Sequence, residues 1–156
     1  DPNANASKMF LDGNTLYVAI TMPVSTSSKI KRGATWGQDD GAEICFRDLS
    51  GAKPGPIVVV QGFASGASQS VDHAGAPSDL VQKGGAAIRF KARIEGKQWI
   101  GEWAIPLSAA GITYKPGMKL GFNLGALRAE SDEWIVWTGA MGPNWQLENT
   151  GKLVLE

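Results

Sequence analysis

Residues 86–105 read AAIRFKARIEGKQWIGEWAI, and this stretch decides the fold class. From Ala86 to Ile94, apolar and polar side chains alternate, which is the pattern of a strand with one buried face. From Gln98 to Ile105, the same alternation puts Trp99 and Trp103 on one face. The stretch therefore predicts two neighbouring strands and places both tryptophans in the core.

Short strands of the same kind recur along the chain, separated by turns that contain many of its 20 Gly and 8 Pro residues. The other predicted strands are Thr15 to Met22, Glu43 to Arg47, Ile57 to Phe63, Met118 to Leu127, Glu133 to Trp137 and Lys152 to Glu156. Only one short helical turn is predicted, over 107–111, because Pro106 can open it and Gly111 can close it. The stretch 62–85 is rich in Gly, Ser, Ala and Asp and predicts a long surface loop or the rim of a binding site. This pattern predicts an all-β fold, an antiparallel β-sandwich with at most one short helical turn.

The composition limits the partners and the cofactors. The 156 residues suit one domain, residues 1–156, and the formal net charge is zero, so no excess charge attracts nucleic acid or an anionic membrane. Apolar runs such as Ile57 to Val60 are too short to span a bilayer. One Cys and one His exclude a zinc site of the His/Cys type. Because the chain has neither an initiator Met nor a signal-like start, we expect a processed form or a domain of a larger protein.

Two tryptophans lie in loops where a core aromatic residue is not expected. Trp36 lies in KRGATWGQDD (31–40), and Trp145 lies in GPNWQ (142–146). An indole offers a flat apolar face and one N–H donor, which suits the C–H face of a sugar ring. The alternative is that one or both rings fold back onto the edge of the sandwich.

Several segments together resemble carbohydrate-binding module family 9. They are LDGNTLYVAI (11–20), WGQDDGAEICF (36–46), GEWAIPL (101–107), LGFN (120–123), WIVW (134–137), NW (144–145) and GKLVL (151–155). Their order and spacing carry the resemblance, which covers residues 9–49 and 98–156. It implies a sandwich of the jelly-roll kind, in which residues 1–11 supply part of the first strand or that strand is missing.

The resemblance also implies a function. Members of the family bind sugars, often at chain ends, between two tryptophans, which by position are Trp36 and Trp145. The family's polar residue on the next strand corresponds to Glu43, which the alternation turns away from the core. The further candidates for binding sugar hydroxyls are Asn144, Asn123 and Gln61. Gln61 is the polar residue on a Val-rich strand where the family usually has a basic residue.

The resemblance further implies a non-catalytic module of a secreted or cell-surface bacterial protein that degrades polysaccharides. Its partners would be mono- or oligosaccharides or polysaccharide chain ends and a covalently linked catalytic domain, with no nucleic acid, no membrane and no required cofactor. Two rings and a few hydrogen bonds predict weak binding, roughly micromolar to millimolar.

Three alternatives stay open. Asp39 and Asp40 are candidate ligands for a structural calcium ion, which needs six to eight oxygens. His73 and Met22 are a candidate ligand pair for a b-type haem in a related sandwich, which would make the chain an electron-transfer domain. A purely structural sandwich would bind no ligand.

Overall fold

The computed structural model describes residues 5–139 and 142–156, which form two packed antiparallel sheets. The strands are β1 Ala6–Asp12, β2 Thr15–Pro23, β3 Gly41–Asp48, β4 Val58–Phe63, β5 Ser68–Val71, β6 Arg89–Glu95, β7 Gln98–Pro106, β8 Met118–Arg128, β9 Glu133–Val136 and β10 Gly151–Leu155. A four-stranded sheet has the order β1-β2-β7-β6, and a six-stranded sheet has the order β10-β8-β3-β4-β5, with β9 paired to β8. The predicted antiparallel β-sandwich is confirmed.

The inner faces of the two sheets supply the core. Trp99 and Trp103 of β7 are buried in it, as the alternation predicts, and they pack with buried residues of the six-stranded sheet such as Phe122. The sheets approach closely at Gly62 of β4. A Cβ atom there would lie 2.6 Å from ring atoms of Phe90 and Trp103, so only glycine fits.

The structure corrects the prediction for residues 62–85. This stretch contains β5 and most of a ten-residue helix, α1 Ser78–Ala87, so the limit of one short helical turn is wrong. Gly84 and Gly85 make the helix hard to predict from the sequence, because each glycine disfavours a helix by about 1 kcal/mol relative to Ala. Tertiary packing outweighs that cost, since Leu80 packs against the core. The strand predicted from Ala86 begins instead at Arg89.

The remaining helical segments are single 3₁₀ turns, Ser27–Lys29, Leu107–Ala110 and Leu147–Asn149. The second is the turn predicted between Pro106 and Gly111, and Gly111 closes it with a positive φ of 70°. Among the described residues, no helix has the length and apolar content needed to cross a membrane.

Candidate functional site

The outer face of the six-stranded sheet carries the predicted polar residues in rows that run across the strands. A polar row consists of Gln69, Gln61, Glu43 and Gly125. On one side of it lies an aromatic row, which consists of Phe63, Gly41, Leu127 and Trp134. On the other side lies a thiol row, which consists of Val71, Val59, Cys45 and Asn123. Neighbouring rows are two residues, or about 6.6 Å, apart along each strand.

Trp36 stands at the aromatic row. Its ring packs edge-on against Trp134, with centroids 5.4 Å apart, and against Phe63, with centroids 6.4 Å apart. The side chain of Trp36 is half-buried, while Trp134 is largely exposed. The Trp36 ring therefore packs locally and also keeps part of its surface exposed.

Trp145 stands at the thiol row. It packs against a small apolar cluster formed by Cys45, Val59 and Leu147, and it is also half-buried. Cys45 and Gly41 are four residues apart on β3, about 13 Å. The structure thus brings the two loop tryptophans to opposite sides of the polar row, and each ring also has packing contacts.

The polar row is linked by hydrogen bonds across three strands. Nε2 of Gln69 donates to Oε1 of Gln61 at 2.7 Å, and Nε2 of Gln61 donates to Oε2 of Glu43 at 2.7 Å. Among the described residues, the other Glu43 oxygen accepts a hydrogen bond only from the Cys45 thiol, at 3.5 Å. A carboxylate accepts about four hydrogen bonds, so Glu43 keeps spare acceptor capacity. Its side chain is only 2% exposed, however.

His73 also lies at this site. The sequence suggested His73 only as a candidate haem ligand and did not place it beside Glu43. Its Nδ1 lies 3.9 Å from Oε2 of Glu43, and its side chain is 44% exposed. The loop between β5 and α1 carries it there. Its position 30 residues from Glu43 in the sequence gave no local pattern that would signal this contact. His73 therefore connects the buried carboxylate to the surface.

Asn144 covers the polar row rather than standing open to solvent. Its Nδ2 donates to the backbone oxygen of Glu43 at 3.0 Å and to Cys45 Sγ at 3.3 Å. The side chain fits because Gly125 beneath it has no Cβ; one would lie 3.0 Å from Asn144 Cγ. Burial, followed by the nearby Glu43 carboxylate, raises the pKa of the covered Cys45 thiol well above its ordinary value.

Asn123 is fully buried and ties two surface segments to β8. Its Oδ1 accepts from the backbone N–H and the hydroxyl of Thr138, at 3.3 Å and 3.2 Å. Its Nδ2 donates to the backbone oxygen of Asn144 at 3.3 Å. These contacts hold the segment that precedes Trp145, so the geometry gives Asn123 a positioning role and no surface for a ligand.

Asp39 and Asp40 hold the loop that carries Trp36. Oδ2 and Oδ1 of Asp40 accept from the backbone N–H groups of Lys31 at 2.8 Å and Ala129 at 3.2 Å, and Oδ2 of Asp39 accepts from that of Thr35 at 2.9 Å. Burial raises the pKa of Asp40 above its ordinary value. In residues 5–139 and 142–156, no three His, Cys, Asp or Glu side chains group as metal ligands. Calcium binding at Asp39 and Asp40 stays a prediction.

The structure does not bring the candidate haem ligands together. Met22 is buried in the core between the sheets. His73 lies beyond the six-stranded sheet, beside Glu43 on its outer face. Since a sheet separates the two side chains, they cannot ligate one iron atom in this fold.

Comparisons with known proteins place the fold. No protein-family model matches the sequence, and no curated protein matches it at a significant level. Among solved structures, the chain is similar to a carbohydrate-binding module of family 9 from Caldicellulosiruptor kristjanssonii, in complex with glucose. The TM-score is 0.68 at 19% identity, over 96% of this chain and 75% of that one. The complex of a family 9 module from that organism with cellotriose gives a TM-score of 0.65 at 19% identity, over 97% and 75% of the chains.

A third similar structure is a candidate carbohydrate-binding protein from Bacteroides uniformis. The TM-score is 0.59 at 12% identity, over 99% of this chain and 80% of that one. Identities this low establish the fold alone. The chain therefore has a fold like that of family 9 carbohydrate-binding modules, as its sequence segments predicted.

Proposed function

We propose that this chain is a non-catalytic carbohydrate-binding domain. It binds a terminal or short-chain sugar on the outer face of the six-stranded sheet, with Trp36 on one side of the ligand and Trp145 on the other. The observation that carries the proposal is the polar row around Glu43, flanked on each side by a loop tryptophan. The likeness to structures that hold glucose and cellotriose supports the same class of ligand.

Recognition of hydroxyl groups involves both exposed and covered side chains. His73 and Gln69 are open to solvent at the surface of the site. Glu43 and Gln61 lie below them, covered in part by Asn144. A sugar hydroxyl therefore reaches the spare acceptor sites of Glu43 only when covering side chains such as Asn144 rotate aside. That movement costs free energy, which agrees with binding in roughly the micromolar to millimolar range.

The proposal includes no chemical step. Glycoside hydrolysis normally uses two carboxyl groups about 5–10 Å apart, but the acidic residues near the end of β8 are engaged elsewhere. Glu130 accepts hydrogen bonds from Ser25, and Glu133 pairs with Arg128. We further propose that the domain is an accessory module of a larger secreted or cell-surface protein, which its likeness to structures described as modules supports.

A titration of intrinsic fluorescence tests the proposal, with glucose, cellobiose, cellotriose and xylobiose as ligands. Wild type is compared with Trp36→Ala, Trp145→Ala and Glu43→Gln. Trp137→Ala is the matched control, because Trp137 is also partly exposed but packs on the core residue Phe122. We expect saturable quenching in wild type and in the control, and affinity about tenfold weaker in each of the other variants.

If the chain is a structural sandwich that binds no ligand, a different result is expected. No sugar would then change the fluorescence, although cooperative unfolding would show that the protein is folded. That outcome would mean that Trp36 and Trp145 serve only to pack Phe63, Trp134 and the thiol row.

A further inference from the structure

The outer face of the four-stranded sheet carries a second open groove. It has a volume of about 480 Å³ and lies on the far side of the sandwich from Glu43. Two rows of side chains form it across the four strands. One row consists of Phe10, Tyr17, Ala104 and Arg89, and the other consists of Lys8, Ala19, Glu102 and Lys91. We call this the outer groove.

One wall of the outer groove is aromatic. The rings of Phe10 and Tyr17 stack in parallel, with centroids 4.7 Å apart and an interplanar angle of 5°, and Phe10 is 61% exposed. The small side chains of Ala104 and Ala19 form the floor beside Tyr17. Arg89 stands across Ala104 from Tyr17, two strand spacings or about 9.5 Å away. That width admits one sugar ring stacked on an aromatic side chain.

The opposite wall is basic. Arg89 and Lys91 are two residues apart on β6, about 6.6 Å. A third cation, Lys8, lies on β1 next to the aromatic wall. Glu102 is the acidic residue of the two rows, and its carboxylate is already bound by Nη1 of Arg93 at 3.2 Å. Among the described residues, no carboxylate forms a salt bridge with Lys8, Arg89 or Lys91. The groove therefore keeps a local positive charge in a protein whose formal net charge is zero.

We propose that the outer groove is a second binding site, for a polysaccharide chain whose sugars carry carboxylate groups. A uronate ring offers an apolar C–H face to Tyr17 and a carboxylate to Arg89. Nη1 of Arg89 donates to the backbone oxygen of Ala86 at 2.7 Å, which holds the guanidinium in place, and its other N–H groups can bind the carboxylate. Carboxylates repeat along a uronate polymer, and cations repeat along β6. This site is separate from the sugar site around Glu43 and does not depend on it.

Affinity electrophoresis and calorimetry with polygalacturonate test the inference. The first comparison is with the same polymer after methyl esterification, which keeps the rings and removes the charge. We expect binding to the charged polymer, weakened by added salt, and little binding to the esterified one. The double variant Lys8→Ala/Lys91→Ala should bind about fivefold more weakly for each charge removed. Phe10→Ala should also weaken binding.

Controls separate this site from net charge and from the other face. Lys53→Ala/Lys115→Ala removes two exposed lysines that lie outside the groove, and it should bind polygalacturonate like wild type. Trp145→Ala should also keep this binding, whether or not neutral sugars bind near Glu43. Equal loss in the two lysine double variants would overturn the inference, because the attraction would then be non-specific.

Two further outcomes would also overturn it. Polyglutamate carries carboxylates without sugar rings; equal binding of polyglutamate, with the same dependence on Lys8 and Lys91, would identify an acidic peptide site. A dimer in sedimentation that Phe10→Ala dissociates would show that a second copy of this chain fills the groove.

Discussion

At the residue scale, one buried carboxylate sets the position of the Trp36 loop. Asp40 accepts two backbone N–H groups from separate segments, and burial raises its pKa above the ordinary value of 3.8. Just above pH 3.8, the Asp40 carboxyl is therefore protonated in a larger fraction of the folded protein than of the unfolded chain. The contribution of Asp40 to the free energy of unfolding must then fall as the pH rises through this range.

The substitution Asp40→Asn tests this account. An amide cannot accept from both N–H groups, so we expect the free energy of unfolding at neutral pH to fall by about 1–2 kcal/mol. The difference in the free energy of unfolding between wild type and variant should shrink as the pH rises from 3.8 upward, because residue 40 titrates only in wild type. Urea unfolding across that range measures it. Asp39→Asn is the control, since one amide oxygen can still accept its single N–H from Thr35. A difference that grows with pH would contradict the account.

A second prediction at this scale concerns Gly125, which makes room for Asn144. In Gly125→Ala the new Cβ meets Asn144 Cγ at 3.0 Å, so the segment that carries Trp145 must shift. We expect sugar affinity to fall about tenfold, because the shift moves Trp145 away from its place beside the polar row. The free energy of unfolding should fall by less than about 1 kcal/mol, because the shift is in a surface segment. The control is Gly121→Ala on the same face of β8, where the nearest atoms are 3.5 Å away. Equal sugar affinity in both variants would show that Asn144 does not shape the site.

At the scale of single elements, α1 carries two glycines with different surroundings. A Cβ on Gly85 would find its nearest neighbour, Ser70 Cβ, 4.0 Å away, whereas a Cβ on Gly84 would lie 3.0 Å from Ser70 Oγ. Gly85→Ala should raise the free energy of unfolding by about 0.5–1 kcal/mol, because alanine favours the helix. Gly84→Ala should gain less, since Ser70 must yield. Thermal unfolding of the two variants measures the difference, and an equal gain would show that Ser70 exerts no constraint.

The same helix shows where sequence reasoning fails. Strands such as β7 were predictable because alternation is a local signal that burial of Trp99 and Trp103 then confirmed. The helix was not predictable, because its glycines have low propensity and its stability comes from contacts with β5 and the turn at 107–110. Propensity is local, but packing depends on residues distant in the sequence.

The candidate site also combines features that local sequence patterns predict with features that depend on distant contacts. Glu43 and the two loop tryptophans could be selected from the sequence, since alternation and loop position are local signals. Three other features depend on which loops cross the outer face of the sheet. They are the covering of Glu43, the role of Asn123 in linking two segments, and the place of His73 in the site. Contacts between residues 30 or more positions apart leave no pattern in a single sequence.

At the scale of the whole molecule, the spacing of the two sheets depends on Gly62. A Cβ there would meet Phe90 and Trp103 at 2.6 Å, and both rings are packed together with centroids 4.5 Å apart. Gly62→Ala should therefore lower the free energy of unfolding by about 1–3 kcal/mol. Gly121→Ala, on the outer face of the same sheet, should change it by less than about 1 kcal/mol. Urea unfolding of both variants checks this, and similar values would mean that the sheets separate easily.

The single thiol of the chain makes the covering segment measurable. Cys45 lies beneath Asn144 and Trp145, and both burial and a raised pKa keep it unreactive while the segment is in place. A thiol reagent can modify it only during moments of exposure, so the labelling rate counts those openings. The labelling rate of Cys45 thus reports the motion of the segment that carries Trp145, and a sugar that holds Trp145 in place will slow the labelling.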